Sequence, residues 1–557
     1  MYLSRHSNLN LMKKPLLKSL SVLSCTLMLG IGGCTTDFTD DPQVPNLADE
    51  TIGPKTRSLE SAIFNEGAQV WMVPQKDPYT LANFQQAYEN LLSGNTAQPL
   101  TRSEIASIAD AEPLKATHYR LKIYPKTEAE EWEIERMEDV KVAYIPFDYV
   151  QLTKDESEKI AASTRTQAAV FPEKSPYSVT YDDAETCDGP ADPVTFTLPV
   201  LYAVWPCDKP LPEDMEYEIE CKVFIPSYGV EQTRSAAPAL SEGILQRLES
   251  EAISLALGTP VRQETRATVV AERVLYGNIY HWDNLISKKV AQPTMKQRFQ
   301  LGSSIWETYT HREDGYFAIR AAIPNEASYS HVFQSPRWKI TPESSTSPIV
   351  TSYGTVAENW PYSASVVNMC PANPTVEYSI NRAVDYFYYG EHQIPKWNYD
   401  DGIRIIAATN PSTEYDAVFT YSSNKRAFIT VPNNHRNLIN ETIGAVLHEL
   451  GHFVHYNERG GYSGYKGVHG FIKESFASYV GWYLSEEHYR ELGYYHPSEG
   501  DTYNYLNDED RQFWRSTIAL HYSPLFVDLS DRYNQNTYLY VYNQDNIENV
   551  PHPIIVK

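Results

Sequence analysis

Apolar residues recur along this chain at two periods, and each period predicts a different element. Residues 81–92 and 240–257 carry apolar positions at helical spacing. Between them the period drops to two. Residues 118–124, 140–145 and 216–225 alternate apolar with polar and predict strands. Strand signals return over 275–280, 295–299, 308–310 and 316–319, with a turn at Asp314-Gly315, a strong hairpin cue. Short apolar runs at 403–407 and 427–431 predict two more strands. They lead into a long helical pattern in which Ile443, Val446, Leu447, Leu450 and Val454 form one buried stripe. Asn440 stands where it can cap that helix, and Glu441 where the positive end of the helix dipole favours an acid. A second helix is predicted over 473–483, after a glycine-rich loop at 459–467.

A chain of 557 residues, 42% of them hydrophobic, has length for three or four domains and enough apolar material for real cores. The predicted fold class is multidomain α+β. Residues 68–268 are expected to form an N-terminal α+β accessory region, 269–347 a strand-rich module and 370–557 a C-terminal α+β domain. Residues 34–67 are polar, contain several prolines and read as a tether. The formal net charge of −24 argues against nucleic acid and anionic membrane surfaces as partners. No long internal repeat is evident, and no glycine loop that could cradle a phosphate follows a strand.

The chemistry concentrates in His448-Glu449-Leu450-Gly451-His452. On a helix, positions i and i+4 lie on one face about a turn apart, so two imidazoles there can share one metal ion. The glutamate beside the first histidine can reach a water on that ion without ligating it. Catalytic zinc usually takes three protein ligands and keeps one position open, so a third ligand is required. The stretch Lys473-Glu474-Ser475-Phe476-Ala477 offers one in Glu474, and His469 is a rival. Gly451 leaves room for close packing against the motif.

The pair of helices resembles the gluzincin metallopeptidases, in which His-Glu-x-x-His on one helix is followed, after a loop, by a glutamate ligand on the next. Glu474 matches that ligand, and Phe476-Ala477 match the Phe-Ala pair that often follows it. The likeness covers about 440–484, and the preceding strands extend it to about 375. It implies a zincin-like catalytic domain in which His448, His452 and Glu474 bind Zn2+ and Glu449 is the general base. Such enzymes often add a tyrosine or histidine that steadies the oxyanion. Tyr465, His469, His521 and Tyr522 are the candidates, and no motif selects among them. The strands at 275–280 and 316–319, with Thr308-Tyr309-Thr310 and the Asp314-Gly315 turn, resemble the carboxypeptidase regulatory-like β-sandwich.

The N-terminus carries a second signal. Lys13, Lys14 and Lys18 precede an apolar run over 20–31 that is too short for an ordinary membrane span. It ends in Ile31-Gly32-Gly33-Cys34, which resembles a bacterial lipoprotein signal: residues 1–33 are expected to be removed and Cys34 to carry lipid. Loss of four cations and no acids would take the formal charge to −28. The acidic residues within 35–41 resemble surface-export tags. Beyond Cys25 in the signal and Cys34, four cysteines remain: Cys187, Cys207, Cys221 and Cys370. Export permits disulfides, and a pair among the first three is expected from their proximity along the chain.

The expected protein is thus a zinc metallopeptidase of the bacterial cell envelope, held at the outer membrane or cell surface by lipid on Cys34, with peptide or protein substrates. One alternative is a surface binding or scaffold lipoprotein whose zincin-like domain lacks catalysis, although Glu449 is intact. Another is a peptidase directed to glycoproteins, although no cluster of exposed tryptophans specifies a sugar site.

Overall fold

A computed structural model describes residues 63–65, 70–96, 99–109, 114–153, 155–156, 175–187, 189–226, 240–258, 273–360, 366–370, 375–395, 402–408, 417–432, 439–494 and 526. These residues build a mixed α+β fold with several sheets. Cys34, the signal segment, His521 and Tyr522 lie outside them. No described helix is long and apolar enough to cross a membrane.

The N-terminal part centres on a four-stranded antiparallel sheet in the order Glu216–Val223, His118–Tyr124, Leu201–Pro206, Lys141–Ala143. Both faces of its inner strands are covered. Leu121, Ile123, Leu201, Ala203 and Trp205 pack on one side with Ile134 of the helix Glu128–Glu135. Tyr124, Tyr202, Val204 and Val223 pack on the other. Beside this sheet the helices Leu81–Ser93 and Glu242–Leu257 bury Phe84, Leu91, Leu248 and Ala252 in a larger core. Thr80 starts the first of these by accepting the backbone N–H of Asn83 at 3.3 Å.

The expected disulfide is absent: Cys187, Cys207, Cys221 and Cys370 are all free thiols. The sheet order explains two of them. Cys221 lies on the strand along one edge of His118–Tyr124, while Cys207 follows the strand along its other edge. Two interstrand spacings of about 4.8 Å exceed the reach of a disulfide.

The central part consists of two sheets. In one, Arg273–Asp283 is flanked by Lys288–Ala291 and Tyr316–Ala321 and also pairs in parallel with Val366–Met369. The other runs Ser304–Tyr309, Lys296–Leu301, Ser328–Val332, Val350–Thr355. Phe317 of the first sheet meets Tyr329 of the second at 6.4 Å between ring centroids, and Trp360 contacts both. The turn at Asp314-Gly315 forms where expected, with the Gly315 N–H bonded to the His311 carbonyl at 3.0 Å. It does not close a two-stranded ladder. The strand before it pairs with Lys296–Leu301 and the strand after it with Arg273–Asp283, so the turn carries the chain from one sheet to the other.

The C-terminal part has a mixed sheet in the order Trp338–Thr341, Ile403–Ala408, Phe428–Pro432, Val418–Thr420, of which only the last strand is antiparallel. Every residue of Ile403–Ala408 is buried, as befits a central strand covered on both faces. Its first strand, Trp338–Thr341, comes from the segment read as the end of the β-sandwich. Three helices, Val376–Tyr389, Ile439–Glu458 and Gly470–Glu491, complete this part. One continuous hydrophobic cluster runs from Tyr79 and Leu248 through Phe299, Trp338 and Ile405 to Leu450 and Val480, so the three regions share a core.

Candidate metal centre

The motif helix Ile439–Glu458 buries Ile443, Val446, Leu447, Leu450 and Val454, the stripe expected from the sequence. Burial of that stripe fixes the helix rotation, and with it the direction of His448 and His452. Two glycines then allow the helix Gly470–Glu491 to cross very close. A β-carbon at Gly451 would stand 2.8 Å from the Ala477 Cα. One at Gly481 would stand 3.0 Å from both the Cα and the backbone nitrogen of His448. Without side chains at these contacts, Glu474 is carried up to the two histidines.

The Glu474 carboxylate lies 3.3 Å from His448 Nε2 through one oxygen and 3.4 Å from His452 Nε2 through the other. The two imidazole centroids are 4.9 Å apart and nearly perpendicular. Tetrahedral zinc at about 2.0–2.1 Å from nitrogen and oxygen requires such donors to be about 3.4 Å apart. Glu474 therefore stands at zinc-donor spacing from each imidazole, through a different oxygen for each, and two imidazoles with a carboxylate suit zinc in donor chemistry.

Neighbouring groups hold the donors in place. The Tyr465 hydroxyl lies 3.0 Å from His452 Nδ1, and Ser478 Oγ 3.4 Å from His448 Nδ1. Each engages the nitrogen opposite the one that faces Glu474, which fixes ring orientation in metal sites. Phe419 stacks on the His452 ring at 6.1 Å. Burial works to raise the Glu474 pKa, but His452 and the hydrogen bonds from both histidines outweigh it and hold the carboxyl well below the usual range. Burial disfavours the charged form of His452, yet Cys187 and Glu474 outweigh that and raise its pKa well above the ordinary value. A metal entering the site must displace that proton.

Glu449 is buried, and its Oε1 lies 3.9 Å from His448 Nε2. Burial pushes its carboxyl above the ordinary value, while His448 and His452 pull it partly back, and the Phe419 backbone N–H bonds to it.

The rival ligand His469 is exposed and caps the second helix, its Nδ1 accepting the Phe471 N–H at 3.2 Å. Tyr465 is fully buried against His452. One group was not anticipated. Cys187 lies 265 positions before His452, yet its Sγ is 3.3 Å from His452 Nδ1 and 3.6 Å from Nε2. Cys187, His452 and Glu474 form a second possible metal-holding group beside His448, Glu449 and His452. No sequence motif surrounds Cys187 to signal this. Comparison of the chain with protein-family models, with curated proteins and with solved structures finds no match.

Proposed function

We propose that this chain is a zinc-dependent peptidase of the cell envelope, anchored through lipid on Cys34. The observation that carries the reading is the Glu474 carboxylate 3.3 Å from His448 Nε2 and 3.4 Å from His452 Nε2, with Glu449 buried beside them. A zinc ion held there would supply Lewis acidity, polarising a scissile carbonyl and acidifying water. The remaining work belongs to the protein. Glu449 takes the proton from the attacking water and passes it to the departing amine. Tyr465 and Ser478 hold the two imidazoles in orientation. The Phe419 N–H hydrogen-bonds to the Glu449 carboxylate and orients it. The sandwich-like pair of sheets supports this core as a carboxypeptidase regulatory-like module would.

The direct test is hydrolysis of a diverse peptide library by the purified protein, with and without chelator. Cleavage that chelation abolishes and zinc restores supports the reading. Absence of cleavage by protein that carries zinc, together with retained binding of surface ligands, favours a scaffold role instead.

A further inference from the structure

Cys187 reaches the metal centre on a short β-ribbon, in which Glu185–Thr186 pairs with Gly189–Pro190. The ribbon is not loosely attached. Its first strand extends the C-terminal sheet: the Glu185 N–H bonds to the Tyr421 carbonyl at 2.9 Å and the Tyr421 N–H to the Glu185 carbonyl at 3.0 Å. Tyr421 directly follows the edge strand Val418–Thr420, whose Phe419 contacts both His452 and Glu449. Side chains fasten the approach. Ser422 Oγ donates to Asp183 at 2.5 Å, the Ser423 N–H donates to the same carboxylate at 3.0 Å, and Lys466 pairs with Glu185.

An exposed sheet edge is where an extended peptide adds itself by backbone pairing. Here a segment of the chain itself holds part of that edge, and the residue at its end is a thiol against the ligand set. Two ligands of one tetrahedral zinc, a thiolate at about 2.3 Å and an imidazole at about 2.0 Å, stand about 3.6 Å apart. Cys187 Sγ is 3.6 Å from His452 Nε2 and 3.3 Å from Nδ1, so it stands beside the ring and off the direction in which Nε2 would hold an ion. A change of the Cys187 rotamer, away from the Tyr465 hydroxyl that it meets at 3.4 Å, is therefore part of the binding, and the donor atoms of Cys187, His452 and Glu474 already lie within 4.8 Å of one another.

Resting on the zinc reading above, we infer that Cys187, held beside His452 by the strand Glu185–Thr186, turns to the ion as a fourth protein ligand in place of the water that hydrolysis requires. The ribbon holds the centre closed. Binding costs the thiol its proton and forms a sulfur–zinc bond. Opening breaks that bond, the sulfur takes a proton from solvent, and a water molecule fills the position it leaves. No oxidant or reductant is involved.

X-ray absorption of the full chain loaded with one equivalent of zinc tests this independently of activity. The wild type is expected to show one sulfur scatterer at about 2.3 Å, replaced in Cys187→Ala by a light oxygen or nitrogen scatterer. Peptide hydrolysis should rise in the variant, about tenfold if nine chains in ten are closed. Zinc bound by His448 and His452 with no sulfur scatterer in the wild type overturns the thiolate ligand and leaves the zinc reading standing. Zinc bound by neither protein overturns both. If Cys187→Ala loses zinc through misfolding, Cys187→Ser under the same measurement must still lose the sulfur scatterer.

Discussion

Gly481 lies against the backbone of His448, so close that a β-carbon there would stand 3.0 Å from both its Cα and its nitrogen. His448 on one helix and the space for it on the other are therefore a single feature. Substituting Gly481 with Val should push the helices apart at the level of the metal ligands. Overpacking of this kind typically costs about 1–3 kcal/mol. The expected result is a lower thermal midpoint and weaker zinc retention against a chelator. Unchanged retention would mean that helix spacing does not position Glu474.

The third ligand separates two readings of the same loop. Glu474→Ala removes the carboxylate that lies 3.3 and 3.4 Å from the histidine nitrogens, and should lose most of the bound zinc. His469→Ala removes an exposed helix cap and should keep it. Loss of a cap costs about 1 kcal/mol, so a small stability change in His469→Ala is expected alongside full metal content. Metal analysis after dialysis decides, and the reverse pattern would make His469 the ligand.

Local rhythm in the sequence located the elements with a clear period but few of their partners, and many short strands carried no such signal. The helical spacing at 81–92 and 240–257 appears as Leu81–Ser93 and Glu242–Leu257, and the alternation at 118–124 as the strand His118–Tyr124. His448 and His452 were legible together because one helical turn joins them. Glu474 was legible through its short distance in sequence and its family-like surroundings. Cys187 was not, because its place is set by backbone pairing of Glu185 with Tyr421, and backbone groups carry no residue signature. The same holds for Trp338–Thr341, whose parallel pairing with Ile403–Ala408 joins segments far apart in sequence. At Asp314-Gly315 the turn was legible and the pairing of its flanking strands was not.

Acid should destabilise the fold from mild pH downward. Burial and the neighbouring Arg382 push the His281 pKa from 6.5 down to about 3, and burial does the same to His331. Both are neutral in the fold and take up protons more readily when unfolded. Their stabilising effect is complete above about pH 6.5 and is lost as pH falls toward 3. Glu307 adds a second step. Burial would raise its pKa, but Lys296 and Arg298 outweigh burial and bring it from 4.5 to about 2. Its contribution is present above 4.5 and lost between 4.5 and 2. Glu131, which burial pushes up to about 8, acts in the opposite sense over the same range, so the test is a comparison of proteins and not one curve. In urea titrations from about pH 7.5 to pH 5, wild type should lose more stability on acidification than His331→Gln. Identical pH dependence of the two proteins contradicts the assignment.

Anchoring is tested at Cys34. A mature chain beginning at lipidated Cys34 should partition with membranes, because several acyl chains on one residue bind firmly where a single chain holds weakly. Mass spectrometry of the N-terminal peptide should show an acylated cysteine and no residues from 1–33. Cys34→Ala should release the protein from the membrane fraction. An unmodified Cys34, or a mature chain that keeps the apolar run, rejects the lipoprotein reading.

The sharpest test of catalysis is Glu449→Gln. The substitution keeps the side-chain shape in a buried site and removes the proton acceptor. Glu449 lies beside the ligand His448 without joining the carboxylate contacts that Glu474 makes, so zinc content should stay near wild type. General-base catalysis contributes about a hundred- to ten-thousand-fold, and hydrolysis should fall by that order. Burial pushes the Glu449 carboxyl above its ordinary value, so the glutamine should not add a strong desolvation cost. The comparison belongs in the Cys187→Ala background as well, where the proposed plug is gone and the basal rate is highest. There the loss on adding Glu449→Gln should be as large as in the wild type. If Glu449→Gln cleaves peptide as fast as its parent at equal zinc loading, the proton acceptor is another group and the mechanism assigned to this site is wrong.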